Sequence, residues 1–142
     1  MSAVPGSERD IAELEHAAEE AYLVVRDLNK ATAAVHRLND AFYRDIHTGE
    51  RLKNVNVAEK IALMHSELSE MLEGVRKGVY DSHLPTRPSE EVELADLIIR
   101  ALDYAGWRQL DLAGAIVDKM AYNRVRADHK HENRRKTGGK KF

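Results

Sequence analysis

Cysteine is absent from all 142 residues, which excludes disulfide staples, zinc–thiolate sites and a cysteine nucleophile together. Also missing is any apolar run near the ~18–20 residues that a membrane-spanning helix needs, so no membrane partner is expected. Residues 1–7 lack the charged start and apolar middle of a signal peptide, and a cytoplasmic location is the expectation. Only three prolines occur, Pro5, Pro85 and Pro88, all outside the periodic segments. No stretch carries sustained strand alternation bounded by hairpin turns. What remains is 43% hydrophobic and 32% charged, and reads as one soluble, all-α helical bundle of about four to five helices.

The net charge of −2 conceals an asymmetry. From Lys119 onward there are nine Lys/Arg against two acids, so a +7 segment follows a body of −9. A basic stretch of this kind suits phosphates, nucleic acid or the acidic body itself. Its part from Arg124 to Lys141 has no interleaved aromatics before Phe142 and matches no nucleic-acid motif, so nucleic acid is not an expected partner.

Helix signals divide the chain. Ser7 with Asp10 caps a first region over 7–45 that breaks near Leu28–Lys30 and ends at Thr48-Gly49. Asn56 caps a helix over 57–77, stopped by Gly78, with Ile61, Met64, Leu68, Met71, Leu72 and Val75 as its inward stripe. Ser89 opens the next, with Leu94, Leu97, Ile98, Ala101, Leu102 and Ala105 inward and Gly106 as its stop. A further helix over 111–126 points Leu112, Ala115, Ile116 and Met120 inward, and beyond Asp128 no apolar periodicity remains. The expected divisions are an acidic helical extension over 1–27, a main helical domain over 28–128, and a basic polar tail over 129–142.

Two acidic pairs carry the chemistry: Glu67-x-x-Glu70 and Glu93-x-x-Asp96. Residues three apart share a helix face, and both pairs border an apolar stripe. One such pair is commonplace on a solvated helix. Two at the same position relative to two stripes would point four carboxylates into one groove, where mutual repulsion makes sense chiefly around a cation. Magnesium, an oxygen-seeking ion that works on phosphates, fits that donor set, so a polyphosphate site is expected.

The run His65-Ser66-Glu67-Leu68-Ser69-Glu70-Met71-Leu72-Glu73, then Glu93-Leu94-Ala95-Asp96, then Lys119-Met120-Ala121-Tyr122-Asn123-Arg124-Val125-Arg126 resembles the MazG-like all-α NTP pyrophosphohydrolases. That superfamily includes the dimeric dUTP and dCTP pyrophosphatases. The pattern is E-E-x-x-E, E-x-x-D and K-x-x-x-N-x-x-R on successive helices, covering residue 28 to the C-terminus; Ser66 departs from it at the first Glu. The resemblance implies that Glu67, Glu70, Glu93 and Asp96 hold Mg2+, with Mn2+ as a substitute, and are catalytic. A (d)NTP is then cleaved to the (d)NMP and pyrophosphate by water attack at the α-phosphate, one glutamate such as Glu70 handling the water. It also implies a homodimer or homotetramer in which a second subunit completes the active-site bundle.

Lys119, Asn123 and Arg126 are the candidate phosphate contacts, with an ordinary polar helix end as the alternative. Asn39, Phe42 and Tyr43 are the candidate base contacts, and the alternative is that Phe42 and Tyr43 are core. Lys60 is placed to reach a phosphate or to be solvated, and His65 to touch the site or to be a satisfied helix histidine. Other functional classes stay open: a nucleotide sensor without turnover, a helical interaction module, or a di-metal oxidase bundle. The last wants two Glu-x-x-His motifs, and the chain has only Glu13-x-x-His16.

Overall fold

The computed structural model describes residues 8–140, so the expected cap at Ser7 lies outside the described residues. Five helices account for the architecture: α1 Glu8–Val25, α2 Leu28–Leu38, α3 Val57–Lys77, α4 Ser89–Arg108 and α5 Leu112–Val125. There is no strand among the described residues, only isolated bridges between Arg44 and Arg51 and between Tyr80 and Pro88. No helix among them is long and apolar enough to cross a membrane.

The chain forms two compact units. One joins the residues up to Asn29 with those from Asp111 onward; the other is the continuous stretch 30–110. The first helix is therefore grouped with α5. In that unit Ala17, Ala21 and Val25 recur every four residues on α1 and are buried, as is Ala121 on α5, so small side chains line the packing of these two helices. Asp111 caps α5 by accepting from the Gly114 N–H, and the Asn29 side chain donates to Asp111 Oδ1 at 2.7 Å while accepting from the Ala113 N–H. On α5 Leu112 and Ile116 are half-buried as expected, whereas Ala115 and Met120 are exposed. Beyond it, a 3-10 turn Ala127–His129 and a single-turn helix His131–Arg134 give the basic tail local order that its lack of apolar periodicity did not foretell.

The first helical region is shorter than expected. The break falls at Arg26–Asp27, and α2 ends at Leu38, followed by a 3-10 turn Asp40–Tyr43. The tighter winding carries Tyr43 into the interior, 1% exposed. Asp45 then accepts from the His47 and Thr48 N–H groups, and Gly49 takes φ +71°, so the turn at Thr48-Gly49 stands where the sequence placed it. Helix α3 matches its sequence bounds: Asn56 accepts from the Glu59 N–H at one end, and Gly78 closes the other at φ 62°.

Helix α4 corrects the reading of Gly106. The helix continues to Arg108 and ends on Gln109 in the left-handed region at φ 53°. Gly106 is instead a close-approach residue, because a Cβ there would collide with the Thr32 carbonyl and lie 2.8 Å from His36 Cβ on α2. The inward faces also differ from the expected stripes. Ile61, Leu68, Leu72 and Val75 on α3, and Leu94 and Ile98 on α4, are exposed, while Met64, Met71, Leu97, Ala101 and Leu102 are half-buried and Ala105 is buried.

Candidate metal centre

Helices α3 and α4 pack against each other with opposed directions, since Gly74 meets Ser89 while Glu67, earlier on α3, meets Arg100, later on α4. A Cβ at Gly74 would lie 2.7 Å from Ser89 Oγ, so the helices approach closely there. Counting one turn away from that contact along each helix brings Glu70 level with Glu93, and about two turns bring Glu67 level with Asp96. The spacing that looked commonplace in one helix thus acquires its partner from the next.

Oxygens of Glu67, Glu93 and Asp96 all lie within 4.8 Å of one another. Glu70 is not in that trio, yet it lines the same cavity of about 450 Å³ with Asp81, His83 and Leu84. Glu93 is held above the ordinary glutamate range, first by its partial burial and then by the negative charges of Glu70, Glu67, Asp96 and Asp81. Glu67 is 5% exposed, so it sits in the packed face of α3 and not at the border of its stripe. Its charge is met by Arg100, whose Nε donates to Oε1 at 2.5 Å. Among the described residues no Lys or Arg is ion-paired with Glu70, Glu93 or Asp96.

A second cavity of about 480 Å³ adjoins the first and shares Asp96 and Arg100 with it. Asn39 and Phe42, two of the three candidate base contacts, line it, and Phe42 is 71% exposed. Lys60 lines it too. Tyr43 is different, and its expected role is corrected. Its hydroxyl donates to Asp103 Oδ2 at 2.9 Å, its ring is buried against His36 and Trp107, and burial beside Asp103 pushes its phenol above the usual range. Asp103 also meets His36 Nδ1 at 2.9 Å, so Tyr43 is a core residue in a buried polar network beneath the cavity.

The candidate phosphate contacts belong to the other unit. Lys119 Nζ lies 5.4 Å from the Tyr122 ring centre, and Asn123 Oδ1 is buried without a hydrogen-bond partner. Arg126 stands just past the last helical residue and pairs through Nε and Nη2 with Asp128, so it is not on a shared helix face with Lys119 and Asn123. His65 is exposed.

Arg100, which no motif singled out, joins the acidic cavity to its neighbour. It follows Asp96 by four residues and Glu93 by seven, and that helical spacing was the available signal. No protein-family model, no curated protein and no solved structure matches this chain.

Proposed function

We propose that this protein is a Mg2+-dependent nucleoside triphosphate pyrophosphohydrolase of the MazG-like kind, converting a (d)NTP to the (d)NMP and pyrophosphate. One observation carries the reading. Three carboxylates with oxygens within 4.8 Å of one another open into a cavity that shares Asp96 and Arg100 with a second, lined by an amide and an exposed aromatic ring. An all-oxygen donor set suits a hard divalent cation, Mg2+ or Mn2+ in its place. The crowding of Glu93 by like charges fits such an ion, which would turn repulsion into coordination by Glu67, Glu93 and Asp96. When bound, it supplies charge neutralisation at the phosphates and a more acidic water.

The chain's own groups do the rest. Glu70, outside the trio but in the same cavity, is placed to orient the attacking water and take its proton on a carboxylate oxygen. Phe42 offers a face for the base and Asn39 an amide for its edge. A homodimer or homotetramer is part of the proposal, supported by the exposed Ile61, Leu68, Leu72 and Val75 on one face of α3. A cytoplasmic setting suits a cysteine-free nucleotide hydrolase.

The test is pyrophosphate release from a panel of NTPs and dNTPs with Mg2+, for wild type, Glu67→Gln and Asp96→Asn. Release from wild type that is lost in both variants, with helicity unchanged, supports the proposal. Wild type releasing pyrophosphate from no nucleotide overturns it.

A further inference from the structure

A cavity lined by Glu67, Glu70, Asp81, Glu93 and Asp96 has to admit a polyanion if it is to work on a triphosphate. Among the described residues Arg100 is the one Lys or Arg in its lining, and it also lines the neighbouring cavity. It is held there by a single bond, since Nε donates to Glu67 Oε1 while neither Nη1 nor Nη2 donates a hydrogen bond to another described residue. The side chain is 41% exposed against 6% for Glu67, so its outer edge faces solvent while its inner edge is fixed. Guanidinium is suited to this, because its five donors form a rigid fork that can serve two anions at once.

The geometry points to Arg100 as a substrate-contacting residue: its Nη groups receive the phosphate that joins the nucleoside to the polyphosphate, while its Nε keeps Glu67 in place. The inference rests on the pyrophosphohydrolase reading and adds the cation that lets the acidic cavity accept its substrate. Lys60, the other cation nearby, is turned over the Tyr43 ring at 4.2 Å, which leaves Arg100 as the donor at the junction.

The experiment measures affinity for the α,β-imido analogue of the best triphosphate substrate, with saturating Mn2+, for wild type, Arg100→Gln and Arg100→Lys. Mn2+ binding without nucleotide is followed in parallel by electron paramagnetic resonance. Arg100→Gln is expected to weaken the analogue by on the order of tenfold or more, as loss of a charge-assisted contact should. Arg100→Lys should fall between, because an ammonium carries the charge without the fork. Wild-type analogue affinity in Arg100→Gln, with only a lower melting temperature, overturns the inference and leaves the hydrolase reading standing. If Arg100→Gln does not fold, Arg100→Lys decides: weakened binding supports the inference and wild-type affinity overturns it. Failure of wild type to bind either Mn2+ or the analogue overturns both.

Discussion

Glu93 stands among four other carboxylates and pays for that position in proton affinity. An acid whose folded pKa is raised binds more protons folded than unfolded, so stability falls as pH climbs past the ordinary value of 4.5. Glu93→Gln removes this burden. In metal-free protein the variant is expected to melt a few degrees above wild type at pH 7, with the gap narrowing towards pH 4, while Mn2+ affinity is lost. Thermal melts across pH with a parallel Mn2+ titration check it, and a variant that melts no higher than wild type at pH 7 refutes it. The sequence made Glu93 legible as a site residue and its repulsion by neighbouring carboxylates foreseeable, but not its partial burial, the first cause of its raised proton affinity. Burial depends on what packs around Glu93 from outside its own helix, and the spacing within one helix says nothing of that. Arg100 escaped for the same reason, since its partner Glu67 is 33 positions away.

At the scale of elements, caps were read more surely than faces. Asn56 and Gly78 bound α3 because one hydrogen bond and one backbone angle fix them locally. Inward faces depend on the partner helix, and α3 turns Glu67 inward while Leu68 and Leu72 stay exposed. Gly106 shows how one residue type serves two ends. At Gly78 the requirement is φ 62° with open space around the Cβ position, whereas at Gly106 it is contact with α2. Gly78→Ala should therefore cost about 1 kcal/mol of backbone strain. Gly106→Ala should cost more, up to about 3 kcal/mol, because the Thr32 backbone has to move. Chemical denaturation of both variants measures the order, and equal losses would contradict the assignment.

For the molecule as a whole, exposed apolar side chains are spread along the chain, and the helices that carry the acidic groups bear a share of them. Ile61, Leu68, Leu72 and Val75 fall within one narrow sector of α3. In the proposed homodimer or homotetramer a second copy would cover that sector. Leu72→Asp is expected to shift the light-scattering mass of the purified protein to that of a single chain, with helicity retained. A wild type already monomeric at micromolar concentration would rule the assembly out. Helix content, and the absence of strands among the described residues, were plain in the sequence, but the grouping of α1 with α5 was not. That pairing depends on small buried residues such as Ala17, Ala21 and Ala121, which give a weak hydrophobic signal.

The division into one continuous unit and one made from both chain ends also sets an order of events. Glu67 and Arg100 meet across 33 positions, whereas Asn29 and Asp111 meet across 82. Shorter closures are entropically favoured and come first, and the ends gain their contacts only after the stretch between them has shortened. Refolding should then proceed in two stages, with α3 and α4 assembling ahead of α1 and α5. If the proposed ion binds, a nascent chain following that order would present its acidic groove to it before α1 and α5 have met, and ion capture would then guide folding as well as follow it.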